Sequence, residues 1–212
     1  MARPGHGPGM DASRLTPAPP PASDPPGMDA APAKALAAFG FLTVLESAEH
    51  GLFGGYLVLS PQGRPLEFRC STPVAASRAQ EILYGPTLRP YLVAEVIGRA
   101  LVAGAELDAP IILTDQRDML PLALMRPEEV LLVREVTSEI QLAEPKSPLI
   151  INGCEIIASP VSTKSSSELA ALLEPLAANV YLAEPFQRIL AALTEAQLAS
   201  HDAESTHDRA AA

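Results

Sequence analysis

Apolar residues follow two different periods along this chain. Between residues 38 and 70 they come in short, strand-like runs. The pattern predicts strands over 38–45, 55–59 and 66–70. Ser60-Pro61-Gln62-Gly63 reads as a hairpin turn between the last two, since Pro presets φ and Gly supplies a positive φ. The third strand alternates: Leu66, Phe68 and Cys70 face one way, Glu67 and Arg69 the other. That predicts a half-buried strand with one wet face. The period then lengthens. Residues 77–83 read as a short helix and 86–103 as a longer one. Leu88, Leu92, Val96 and Ala100 recur every four residues, with Val93, Ile97 and Leu101 beside them. Pro90 suits only a first turn, and Gly104 is a stop. Residues 111–114 are an apolar strand of the kind buried between parallel neighbours. A short helix over 119–125, interrupted by Pro121, and a strand over 130–134 complete βαβ signals.

Beyond Glu135 the character changes. Asn152-Gly153 between apolar runs predicts a hairpin over 150–156, as a sheet edge or a small flap. Ser165 and Glu168 form a capping box opening a helix that carries Leu169, Leu172, Leu173 and Leu176. A second helix begins near Pro185 with Phe186, Ile189, Leu190 and Leu193. The expected fold is α/β: a single domain over 34–200, with a mixed, partly antiparallel sheet and a C-terminal helical hairpin. That hairpin either covers the sheet or keeps an apolar face for a partner or a second copy.

Composition sets the frame for the rest. Residues 1–33 hold nine of the 22 prolines and read as a disordered tail, as does the polar stretch 201–212. Translation could begin at Met1, Met10 or Met28. The remaining length suffices for one real core. Aromatics are only 4% of the 212 residues and Trp is absent, so that core must be aliphatic and platforms for single-stranded nucleic acid are few. A net charge of −10 disfavours nucleic acid and anionic membranes as partners. The longest apolar runs are about six residues, against roughly 20 needed to span a bilayer. Cys70 and Cys154 lie far apart with no CxxC. They read as free thiols in a reducing cytosol, so a cytoplasmic location is expected.

Candidate chemistry rests on two acids near strand ends. Glu46 follows Phe41-Leu42-Thr43-Val44-Leu45, and Asp115 follows Pro110-Ile111-Ile112-Leu113-Thr114. Three antiparallel strands, a helix, then parallel strands is an order that resembles the RNase H-like nuclease fold. It is similar to endonuclease V and to the RNase H-like half of the bacterial excision-repair endonuclease. The resemblance covers residues 39–134. It implies two divalent ions, Mg or Mn, held by three or four carboxylates. Glu46 and Asp115 match that pattern, although the family's first acid is normally Asp. Glu168 is the candidate for a third acid, but its capping box accounts for it without chemistry. No Lys near the site is evident. Without the nuclease reading no cofactor is expected.

His50 shares a loop with Glu46 and Glu49 and could act as a general base or a ligand. Without chemistry, Glu46 and Glu49 are a polar loop, Asp115 caps the following helix, and His50 is solvated. Gly51, Gly54 and Gly55 would permit close approach of a phosphate, or else mark a bulged strand start. No phosphate-loop or dinucleotide fingerprint and no nucleophile elbow is present. The leading expectation is a non-catalytic binding or scaffold module acting on a protein partner or on itself. The runner-up is a metal-dependent nuclease using Glu46 and Asp115, with His50 as a further catalytic candidate. A small-ligand sensor with an apolar pocket is the third.

Overall fold

The computed structural model describes residues 38–48, 50–136 and 148–210, with side chains described to Gln197. One seven-stranded sheet organises the chain, in the order β3-β2-β1-β4-β5-β7-β6. β1 (Phe39–Ser47), β2 (Gly51–Leu59) and β3 (Pro65–Cys70) form an antiparallel meander. β4 (Ile111–Thr114) and β5 (Glu129–Glu135) continue parallel to β1. β6 (Leu149–Ile151) and β7 (Cys154–Ala158) pair antiparallel to each other, and β7 pairs antiparallel to β5. The fold is therefore α/β with a mixed sheet. The Asn152-Gly153 hairpin extends the sheet edge rather than forming a flap. Both of its turn residues have positive φ, 49° and 77°, which the Asn-Gly pair tolerates.

Each face of the sheet carries its own core. On one face Phe41, Leu57, Leu113 and Leu131 pack against α4 (Ser166–Ala177) and α5 (Glu184–Ala210). Leu173, Leu176 and Ile189 are fully buried there, each such side chain contributing about 1.5–3 kcal/mol. The helical pair thus packs on the sheet through Leu169, Leu173 and Leu176, while Leu172 stays 41% exposed. The backbone of α5 continues helically to Ala210, past residue 200 where the sequence suggested a polar tail. On the other face Leu42, Tyr56, Val58, Ile112 and Val130 pack against Met119 of the β4–β5 connection and against the β3–β4 crossover that contains Leu92 and Ile97.

That crossover departs from the expected helices. α1 (Arg78–Tyr84) starts at a capping box of Ser77 and Gln80. The run expected as one α-helix over 86–103 is instead composite. It is 3-10 over Gly85–Thr87, α over α2 (Leu88–Pro90), π over Tyr91–Gly98, and α over α3 (Arg99–Ala103). Pro90 has no N–H to donate to the preceding turn. Beyond it the turns widen, and Arg99 N–H bonds Ala94 O, five residues back. Gly98 lets the π-helix lie close on β1, since a Cβ there would press on Met119 Sδ and reach Leu42. The segment Arg117–Leu124, expected as a short helix, is 3-10 with Pro121 inside.

The third strand also reverses its expected faces. Leu66 and Phe68 are each 42% exposed, while the Glu67 side chain is only 12% exposed. β3 lies at the sheet edge, and the covering α5 residue Ile189 sits over Gly55 on β2. Glu67, on the opposite face, accepts hydrogen bonds from the N–H groups of Glu106 and Leu107 at 2.9–3.0 Å. Cys70 is exposed and Cys154 buried, both as free thiols. Among the described residues, no helix is long and apolar enough to cross a membrane.

Candidate functional site

β1 leads to one side of the sheet through β2 and β3, while β4 lies on its other side. The carboxyl ends of β1 and β4 therefore mark a topological switch point, the usual position of ligands in open α/β sheets. Glu46 and Asp115 lie there, but the structure does not bring them together. Leu42 pairs with Thr114, and successive side chains alternate faces. Glu46 falls on the face of Leu42 and Val44, toward the π-helix. Asp115 falls on the face of Phe41 and Leu113, toward α5.

Each acid has a different local partner. Glu46 is exposed and accepts from Arg89 Nη1 at 2.6 Å. The same guanidinium donates through Nε to Asp118 at 2.9 Å. Arg89 thus bridges the end of β1 and the start of the 3-10 helix Arg117–Leu124. The Asp115 carboxyl lies against the buried Thr43 on β1. Burial raises it above the usual carboxylate range, offset in part by hydrogen bonds from the Thr43 hydroxyl and its own backbone. The residue taken whole is exposed, so this crowding is local. The β1 side chain beside the Asp115 carboxyl is thus the neutral hydroxyl of Thr43. Gln116 next to it donates to Val44 O, and its Oε1 is buried without a hydrogen-bond partner.

A cleft of about 490 Å3 opens beside Glu46. Its walls are the β1–β2 turn, the stretch around Val74, and the α1–α2 region with Glu81, Leu88 and Arg89. Leu52 and Val74 exchange backbone hydrogen bonds at 2.9 Å, which fixes one wall. His50 lies in the β1–β2 turn, half-buried, with its ring 6.2 Å from Phe53. Glu49 lies outside the described residues. Glu168 is occupied at the start of α4, where its carboxylate accepts from Ser165 N–H at 2.7 Å. Hydrogen bonds from the Ser165 side chain and N–H hold that carboxyl below its usual range. Among the described residues, no group of three or more His, Cys, Asp and Glu is placed to hold a metal ion.

The glycines expected at a phosphate or a bulge do something else. A Cβ at Gly54 would run into Ile97 and Leu101, and one at Gly55 into Ile189. These consecutive residues admit a helix onto each face of β2. Gly51 does need its positive φ of 85°, and a Cβ there would meet Val74 O at 2.5 Å. Sequence reasoning missed Arg89 and Asp118. The contacts span 43 and 29 residues, and no local spacing announces them.

An exposed helix flanks the cleft. α1, which supplies Glu81, buries none of its side chains. Ile82 is 68% exposed and Leu83 80%. Tyr84 stacks on Tyr91 with ring centroids 4.6 Å apart, tying the end of α1 to the π-helix.

No family model and no curated protein matches this chain. Among solved structures it weakly resembles Ciona intestinalis endonuclease V in complex with a 23-mer DNA containing an inosine followed by a ribo-adenosine, at 12% identity and a TM-score of 0.32, over 66% of this chain and about half, 55%, of that one.

Proposed function

We propose that this chain is a non-catalytic, cytoplasmic module that works through protein–protein contacts, with α1 and the neighbouring cleft as its docking face. The observation that carries the reading is α1 itself. A seven-residue helix with no buried side chain gains nothing from the core, yet it holds Ile82 and Leu83 in solvent. Exposed apolar side chains grouped on one helix are characteristic of an interaction site. The stacked Tyr84 and Tyr91 and the capping box at Ser77 keep the helix formed in the absence of a partner. The fitting partner is a protein segment with apolar anchors, set against a rim that carries Glu46 and Glu81.

The test places a photo-crosslinking side chain at Leu83 in the native host. The expected result is one discrete adduct, identified by mass spectrometry, whose purified partner binds wild type and loses at least ten-fold affinity for Ile82→Glu/Leu83→Glu. A purified partner indifferent to that double change overturns the assignment of α1. A Mn2+ titration by calorimetry, on wild type, Glu46→Gln and Asp115→Asn, tests the competing nuclease reading. The expected outcome is no micromolar binding that depends on both acids. Binding lost in both variants would replace the docking reading with a metal site.

A further inference from the structure

We propose that the outer edge of β3 pairs with the same edge of a second copy of this chain, antiparallel, about a two-fold axis through Phe68. The inference goes beyond the docking role of α1 and does not rest on it. β3 ends the sheet, and its only strand partner among the described residues is β2. Ser71 N–H donates to Gly54 O at 2.9 Å on that inner side. In an antiparallel ladder alternate residues turn their backbone groups the same way. Arg69 therefore points its N–H and C=O toward β2, while Phe68 and Cys70 point theirs outward. The side chains of Leu66, Phe68 and Cys70 are exposed as well. An open edge flanked by apolar side chains is a template for another strand.

The sequence of the edge selects the occupant. Leu66-Glu67-Phe68-Arg69-Cys70 is self-complementary about its middle residue. A two-fold axis at Phe68, perpendicular to the sheet, sets Phe68 opposite Phe68. It sets Glu67 opposite Arg69 of the second copy, and Leu66 opposite Cys70. Apolar residues then meet on one face and opposite charges on the other, the favourable arrangement for directly opposed cross-strand pairs. Moving the axis to residue 69 sets Arg69 against Arg69, and moving it to residue 67 sets Glu67 against Glu67. Both shifts are repulsive, so charge fixes the register.

Arg69 is the accessible member of the charged pair. Arg69 is 39% exposed and lies 3.5 Å from Glu67 of its own strand, a long contact that a second carboxylate can supplement. Glu67 is held in place by the Glu106 and Leu107 N–H groups. The ladder between β2 and β3 is irregular between Val58 and Leu59. The regular edge is therefore short, which suits a reversible dimer.

Sedimentation equilibrium tests the idea on wild type and Phe68→Glu, with folding followed by circular dichroism. The expected result is a concentration-dependent dimer whose dissociation constant rises at least ten-fold in the variant. A second measurement uses Phe68→Cys/Cys70→Ser under mild oxidation. The interchain disulfide at position 68 should form at least ten times faster than in Leu124→Cys/Cys70→Ser, whose thiol replaces a residue that is 72% exposed. A wild-type monomer at about 0.2 mM, a concentration that populates any micromolar dimer, overturns the proposal. So does a dimer indifferent to Phe68→Glu, or equal crosslinking at the two positions. If Phe68→Glu fails to fold, the crosslinking rates decide.

Discussion

Glu46 lies one residue before the end of β1 and Asp115 one residue after the end of the parallel β4, yet they fall on opposite faces of the sheet. The register that sets Leu42 beside Thr114 leaves Thr43, not Glu46, against the Asp115 carboxyl. A one-residue offset inverts the face of a strand side chain. Glu46 is drawn instead to Arg89, which also holds Asp118. The two acids that looked like a pair in sequence belong to separate networks.

Arg89→Ala should leave stability almost unchanged. All three members of its network are between 35% and 64% exposed, and exposed ion pairs contribute about 0–1 kcal/mol. Urea unfolding should show a loss below about 1 kcal/mol. A loss of several kcal/mol would mean that Arg89 organises the crossover rather than decorating it.

Asp115→Asn should stabilise the protein at neutral pH. Local burial raises the Asp115 carboxyl above its ordinary value of 3.8. A carboxyl raised in the folded state favours folding below its unfolded pKa, and that contribution is lost as pH rises through the folded value. At pH 7 the charged form therefore opposes folding, and the neutral amide relieves it. The Tm of the variant should exceed wild type at about pH 7, and the gain should vanish at about pH 3.

Glu67→Gln has the opposite sign. Burial alone would raise the Glu67 carboxyl, but the N–H groups of Glu106 and Leu107, together with Arg69, outweigh it and hold the group below its ordinary 4.5. Its contribution is complete above that value and is lost as pH falls through the folded pKa. The variant should lose about 2 kcal/mol at neutral pH, the scale of hydrogen bonds to a charged group. The gap to wild type should narrow on acidification below 4.5.

Gly55→Ala and Gly54→Ala should each cost about 1–3 kcal/mol, the usual penalty for overpacking a core. The first pushes α5 off the sheet at Ile189, the second pushes the crossover off at Ile97. Chemical denaturation measures both. A neutral result at either site would mean that the helix on that face yields freely.

Local chemistry was legible in the sequence. The Asn152-Gly153 hairpin, the capping box of Ser165 and Glu168, and the turn at Gly63 follow from φ preferences and hydrogen-bonding groups within a few residues. The parallel strand at Ile111–Thr114 was legible too, because burial on both faces removes any polar alternation. The composite helix after Gly85 was not. Its leucine period suits an α-helix, and only the close approach to Leu42 and Met119 shows how Gly98 is used.

By itself the sequence determined the order of strands and helices, the turn chemistry, and the aliphatic makeup of the core. Those depend on residue type and near neighbours. Tertiary structure alone decided which face each charged side chain occupies, and therefore what it meets. It half-buried Glu67 and left Phe68 exposed because β3 is an edge strand and the two faces are covered to different extents. It separated Glu46 from Asp115 because strand register, a property of two chain segments brought side by side, sets the face of every residue after it.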